Sequence, residues 1–137
     1  MPEIFVSTGG LGNKPIISTL ETFVMEGFLN LEISCGRVQK KDLQKIIELK
    51  KLENLNLRLH NYFPNYFSMD FALNLGSFNE EIALKSENLI VTALEWSHEL
   101  ESDVYAFHAP FLLDPAPETL GKNFYKKENM QSTKEVV

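Results

Sequence analysis

The amino-acid sequence predicts an α/β fold built on a parallel sheet. Three observations indicate this class: four short segments rich in apolar and β-branched residues, three longer segments with apolar residues at helical spacing, and the alternation of the two kinds along the chain. Alternating strands and helices favour parallel strands joined by right-handed crossovers. Either a doubly wound sheet or part of a (β/α)8 barrel satisfies this order.

The four predicted strands are short, and turn signals follow the first and the last of them. Residues 4–8 form an apolar run that two glycines stop, and residues 29–34 alternate between apolar and polar side chains. Residues 55–60 alternate strictly, so their leucines share one face. Residues 104–108 form the last predicted strand, which a proline ends.

Amphipathic helices connect these strands. The first ends at Gly27, the second covers about residues 40–52 and the third covers about residues 78–101. Ser77, with Glu80 three residues later, has the spacing of a capping box and is the predicted start of the third helix.

Composition indicates a globular domain and limits its partners. The chain has 137 residues, of which 44% are hydrophobic and 23% charged, and its apolar runs are far shorter than the ~20 residues of a membrane span. The single cysteine, Cys35, cannot form an internal disulfide, which favours a reducing cytoplasm, and we interpret it as a small buried hydrophobic residue. The net charge of −6 disfavours a nucleic-acid partner, because phosphate binding usually requires a basic face.

Polar residues stand at or near the carboxyl ends of three predicted strands, the edge at which barrels and open α/β sheets build their sites. They are Glu32, His60 and His108. Their apolar neighbours fall on the opposite face, which helices would cover, so the three polar side chains should point into one mouth. A carboxylate and two neutral imidazoles suit Zn²⁺ or Mn²⁺. The alternatives are hydrogen-bonded structural histidines and a pairing of Glu32 with Arg58 on the neighbouring strand.

A long aromatic loop, residues 61–76, follows the third predicted strand. Loops of this length inside a compact domain are usually functional or disordered. The loop therefore predicts either a binding surface or a lid that packs on itself.

Several short motifs resemble one known family. They lie at residues 31–34, 59–64, 73–77, 79–86 and 107–111. In this order they are similar to the second, third and fourth strands and the third helix of the xylose isomerase-like TIM barrels. That superfamily contains sugar and sugar-phosphate isomerases and epimerases, and the endonuclease IV family of abasic-site nucleases. The similarity spans about residues 4–125.

The resemblance implies a site, a cofactor and a substrate class. His60 and His108 match histidines that bind metal in the endonuclease branch, or that line the substrate pocket near a single metal in epimerase-like members. Glu32 matches an acidic position that orients a ligand or a substrate hydroxyl. Tyr62 and Phe63 would stack against a sugar or sugar phosphate. A divalent metal (Zn, Mn or Mg) would polarise the carbonyl and hydroxyl of that substrate.

The resemblance covers the N-terminal half of such a barrel. The main metal-binding and acid/base carboxylates of the family lie on strands five to eight, and a complete barrel needs ~250 residues. We therefore expect residues 1–125 to form strands one to four of a partial barrel, followed by a poorly defined tail at 126–137. We expect this chain to be inactive alone, and to self-associate or bind a separate C-terminal half, because its edge strands are open.

Two other functions would use the same residues. One is a fragment of an endonuclease IV-like abasic-site nuclease, which the acidic balance disfavours. The other is a non-catalytic remnant that keeps the fold without the chemistry, since one fold serves many functions.

Overall fold

A four-stranded parallel sheet forms the centre of the fold. A computed structural model describes residues 3–11, 14–64 and 71–117, and the predicted tail at 126–137 lies outside these residues. The strands are β1 (Val6–Ser7), β2 (Asn30–Ile33), β3 (Asn56–His60) and β4 (Tyr105–Ala106). Each strand pairs in parallel with the next, in the order β1-β2-β3-β4. The predicted α/β class with parallel β/α units is confirmed.

The helices alternate with the strands as predicted. They are α1 (Ile16–Met25), α2 (Asp42–Glu53) and α3 (Glu80–Glu99), and a short 3-10 helix at Thr8–Leu11 follows β1. Gly27, the predicted end of the first helix, lies just beyond α1 with a φ of +84°, a left-handed conformation that favours glycine. In the described part of the chain, no helix is long and apolar enough to cross a membrane.

The start of α3 differs from the capping box that the sequence predicts. The N-cap is Asn79, whose side-chain oxygen accepts hydrogen bonds from the backbone N–H groups of Glu81 and Ile82. Ser77 lies two residues before this cap and its hydroxyl donates to Asp114 Oδ2 at 2.7 Å. Asparagine caps helices at least as well as serine. Ser77 is therefore not needed as the cap, and its hydroxyl can bond to Asp114 instead.

All three helices pack on one face of the sheet. The residues of β2 and β3 on this face are at most 1% exposed, and Val6 of β1 and Tyr105 of β4 are partly buried beside them. Together with side chains from the helices they form the core: Leu31, Ile33, Leu57 and Leu59 from the strands, and Ile16, Leu20, Ile46 and Trp96 from the helices. Each such side chain contributes about 1.5–3 kcal/mol by leaving water, so this layer holds the domain together.

The opposite face of the sheet is polar and accessible. In the register of β2 with β3, Leu31 lies beside Leu57 and Glu32 beside Arg58. Because successive side chains alternate between faces, Glu32, Arg58 and His60 all point away from the helices. These three side chains are partly exposed. The fold thus leaves a polar sheet face open to a ligand or a partner.

We expect Leu57→Ala to destabilise the domain by roughly 2–5 kcal/mol, because Leu57 is 1% exposed and its truncation leaves a cavity against the helices. Leu52→Ala is the matched control, since Leu52 is 79% exposed on α2. Urea unfolding followed by the fluorescence of the single tryptophan, Trp96, measures both free energies. Equal stability of the two variants would contradict this location of the core.

Candidate functional site

Glu32 and His60 meet at the carboxyl edge of the sheet. Glu32 is the third residue of β2, and His60 is the last residue of the adjacent strand β3. The imidazole Nδ1 of His60 lies 3.4 Å from Glu32 Oε1, and the side chains are 30% and 32% exposed. Two neighbouring strands thus present a carboxylate and an imidazole that contact each other and still reach solvent.

His108 completes this group of three. It lies two residues beyond β4, and its ring centroid is 6.1 Å from that of His60, with the ring planes at 73°. Of the three residues that the sequence predicts at one mouth, Glu32 contacts His60, and the ring of His108 lies beside that of His60. Across residues 3–11, 14–64 and 71–117, no three His, Cys, Asp or Glu side chains form a group that could hold a metal ion. Metal binding by these residues stays a prediction.

Arg58 lies on the same face, but it does not pair with Glu32, which is the alternative that the sequence suggests. Glu32 pairs with His60, whereas the guanidinium of Arg58 lies 3.8 Å from the centre of the Phe5 ring. Its Nε lies 3.6 Å from Asp103 Oδ1, and this buried atom has no hydrogen-bond partner among the described residues. The alternation of apolar and polar residues in 55–60 predicts that Arg58 lies on the polar face. This pattern is the sequence signal by which Arg58 could have been included among the candidate site residues.

The two aromatic candidates have different surroundings. Phe63 is 1% exposed and packs edge-to-face on Trp96, with 5.6 Å between ring centroids. A ring enclosed in this way offers no face to a sugar, so we assign Phe63 to the core. Tyr62 is only partly buried, and its hydroxyl accepts a hydrogen bond from the backbone N–H of Leu73 at 3.0 Å. Tyr62 therefore remains a candidate, and its hydroxyl joins the two ends of the aromatic loop.

The backbone beside His60 is held by β4. Asn61 has a φ of +51°, its N–H donates to the carbonyl of Ala106 at 2.6 Å, and its carbonyl accepts from the Tyr105 hydroxyl at 2.7 Å. Burial, with a smaller contribution from nearby Tyr62, raises the pKa of Tyr105 to about 12. The neutral Tyr105 hydroxyl thus fixes the turn through which the chain leaves the site.

Hydroxyl groups gather at the ends of β1 and β2. The hydroxyls of Ser7 and Ser34 are 2.8 Å apart, and Thr8 Oγ1 accepts from the Ser34 N–H at 3.1 Å. A Cβ on Gly9 would lie 2.9 Å from Ser34 Oγ, so a larger residue at this turn would displace the Ser34 hydroxyl. Cys35 is half-buried and burial raises the pKa of its thiol, which disfavours the nucleophilic thiolate.

An open depression of about 560 Å³ lies elsewhere, between the C-terminal ends of α2 and α3. Its lining includes Lys50, whose Nζ is 3.2 Å from Glu101 Oε2. Helices α2 and α3 end where β3 and β4 begin, so the depression lies at the edge opposite to His60. Sites in parallel α/β sheets form at the carboxyl edge, and we therefore place the candidate site at Glu32, His60 and His108.

Comparisons with protein-family models, with curated proteins and with solved structures find no match to this chain.

We expect the stability of the domain to fall between pH 10 and about 12, because the ordinary pKa of a tyrosine hydroxyl is 10.0 and that of Tyr105 in the folded chain is about 12. The folded state holds this proton more tightly than the unfolded state, so its stabilisation is complete below pH 10 and is lost as the pH rises through that window. Tyr105→Phe should reduce the loss. Urea unfolding of both proteins across this range measures the difference, and identical pH dependence would contradict it.

Proposed function

We propose that the chain forms the N-terminal part of a divalent-metal-dependent sugar or sugar-phosphate isomerase/epimerase-like (β/α)8 barrel. The observation that carries the proposal is the meeting of one carboxylate and two imidazoles, those of Glu32, His60 and His108, at the carboxyl edge of a parallel sheet. This edge is where barrel enzymes bind substrate and perform chemistry.

The arrangement of the helices favours a barrel over a doubly wound sheet. Doubly wound sheets carry helices on both faces, whereas a barrel carries them only on the outside. In this chain α1, α2 and α3 all contribute to one core with the same face of the sheet, and the strands are adjacent in chain order. The polar face would then be the interior of the barrel, with Arg58 and His60 directed into it.

The contact between Glu32 and His60 suits a ligand role for the imidazole. A carboxylate at Nδ1 favours the tautomer that carries its proton there, which leaves the Nε2 lone pair for an ion. His108 would supply a second nitrogen from the neighbouring strand. A divalent ion bound here would act as a Lewis acid on the carbonyl and hydroxyl of the sugar. Arg58 would add positive charge to the interior, which suits a phosphate group on the substrate.

The site needs a second carboxylate for proton transfer between carbon atoms, because that step uses an acid and a base. Glu32 supplies one. The partner that closes the sheet, whether a second copy of the chain or a separate C-terminal half, would supply the other, since four further strands complete the eight strands of a barrel. Large apolar side chains that are 37–55% exposed lie on α3 and on either side of β4, and a partner would cover them: Val91, Leu94, Val104 and Phe107.

Titration with Zn²⁺ or Mn²⁺ tests the proposed site. We expect His60→Ala and His108→Ala each to weaken metal binding by roughly tenfold or more in isothermal calorimetry, because each removes a nitrogen ligand. His98→Ala is the matched control, because the third histidine is exposed on α3 and belongs to no part of the site. A wild-type chain that binds neither metal would contradict the proposal and favour the non-catalytic remnant.

Sedimentation tests the proposed second copy. We expect the wild-type chain to form dimers or larger assemblies, and Leu94→Lys to shift it towards monomer by placing a charge at an exposed apolar position of α3. Leu52→Lys is the control, since Leu52 is equally apolar and 79% exposed on α2. A wild-type chain that is monomeric and melts cooperatively at high temperature would exclude self-association.

A further inference from the structure

Asn74 is a buried polar side chain whose hydrogen-bonding capacity is fully used. It is 1% exposed, and its Oδ1 accepts from the backbone N–H groups of Gly76 at 3.1 Å and Phe111 at 2.9 Å. Its Nδ2 donates to Asp114 Oδ1 at 2.8 Å and to the carbonyl of Leu113 at 3.3 Å. A side-chain amide has two donor hydrogens and two acceptor lone pairs, so all four are satisfied.

These bonds join two segments that are far apart in the chain. Asn74 lies before α3, whereas its partners Phe111, Leu113 and Asp114 follow β4. Ser77 adds a second tie, because its hydroxyl donates to Asp114 Oδ2 at 2.7 Å. We call this set of contacts the Asn74 clamp: Asn74, Gly76, Ser77, Phe111, Leu113 and Asp114.

The clamp also depends on close packing at a glycine. A Cβ on Gly76 would lie 2.9 Å from Pro110 Cβ, closer than real contacts allow. Pro110 is two residues after His108, so the close approach lies immediately beside the candidate site. The backbone N–H of Asn74 donates to Ser86 Oγ at 2.8 Å, which anchors the clamp to the buried face of α3.

We propose that Asn74 is a positioning residue that holds His108 against His60. The last pairing of β4 joins Ala106 to His60, so His108 lies beyond the end of the sheet ladder. Beyond it Pro110 packs against Gly76, and the backbone N–H of Phe111 donates to Asn74 Oδ1. The segment that contains His108 is therefore held by β4 on one side and by the clamp on the other. Both attachments are needed to keep the His108 ring 6.1 Å from that of His60.

This inference deepens the proposed function and rests on it in one respect, namely that the histidine pair binds metal. A merely structural asparagine would stabilise the loop without affecting the two rings. A positioning residue must change the distance between the rings of His60 and His108, and through it the affinity for metal. The two effects can be measured separately, because the ring contact does not require a metal.

The experiment uses the full chain with four sets of substitutions. Asn74→Ala removes all four bonds of the Asn74 side chain. Asp114→Ala removes only part of the clamp from an exposed position, which keeps the test valid if Asn74→Ala fails to fold. Asn74→Asp combined with Asp114→Asn exchanges the carboxylate and amide and can re-form the bond between them. Asn88→Ala is the control, because Asn88 is exposed on α3.

Nuclear Overhauser effects between the ring protons of His60 and His108 report the ring contact, and calorimetry with Zn²⁺ reports affinity. We expect the ring contact to persist in the wild type and in Asn88→Ala, to weaken in Asp114→Ala and to vanish in Asn74→Ala. We expect Zn²⁺ affinity to fall by roughly tenfold or more in Asn74→Ala, the range for residues that orient ligands. The exchanged pair re-forms the bond between residues 74 and 114 but leaves the Leu113 carbonyl without its donor, so we expect it to recover both signals in part.

The outcomes separate this inference from the proposed function. If the wild type binds no Zn²⁺ while Asn74→Ala loses the ring contact, the metal site is wrong and the positioning by Asn74 is supported. If folded Asn74→Ala or Asp114→Ala keeps the full ring contact, the positioning role is overturned. The same conclusion follows if the wild type binds Zn²⁺ and Asn74→Ala binds it with equal affinity.

Discussion

The parallel pairing of β2 with β3 is the constraint on which the rest of the structure depends. It sets Leu31 beside Leu57 and Glu32 beside Arg58, so apolar side chains face the helices and polar ones face away. A shift of one residue would send the leucines to the open face and the charged side chains into the core. The hydrophobic cost of that exchange, about 1.5–3 kcal/mol for each exposed leucine, makes the register unambiguous. The same pairing that builds the core therefore places Glu32 and His60 at the carboxyl edge of the sheet.

The carboxyl edge is held by polar contacts rather than by a long sheet ladder. β4 has only two residues, and the segment that contains His108 follows it. On one side, the hydroxyl of Tyr105 bonds to the carbonyl of Asn61, and on the other side Asn74 bonds to the N–H of Phe111. Buried polar groups of this kind are costly when one partner is lost, so they enforce a single arrangement of the loops. A short strand can thus still present its histidine at a defined position.

The open face of the sheet carries ionisable side chains that reach solvent, and a buried hydrogen-bond donor that has no partner among the described residues. Glu32 and His60 remain about one-third exposed, and the buried Nε of Arg58 has no hydrogen-bond partner among residues 3–11, 14–64 and 71–117. A buried donor without a partner costs roughly 1–3 kcal/mol, which a ligand, a water molecule or a facing strand could recover.

The sequence by itself determined the order of strands and helices, and which residues of each strand share a face, because these follow from local periodicity. The alternation of residues 29–34 and 55–60, and the position of His108 after the fourth predicted strand, predicted one carboxyl edge for Glu32, His60 and His108, and the His60 ring lies beside both of the others. Only the tertiary structure decided that Phe63 packs on Trp96, that Asn79 rather than Ser77 caps α3, and that Glu32 pairs with His60. It also formed the clamp around Asn74, whose partners are about forty positions away in the chain. Each of these depends on the packing of distant segments, and no local pattern encodes such contacts.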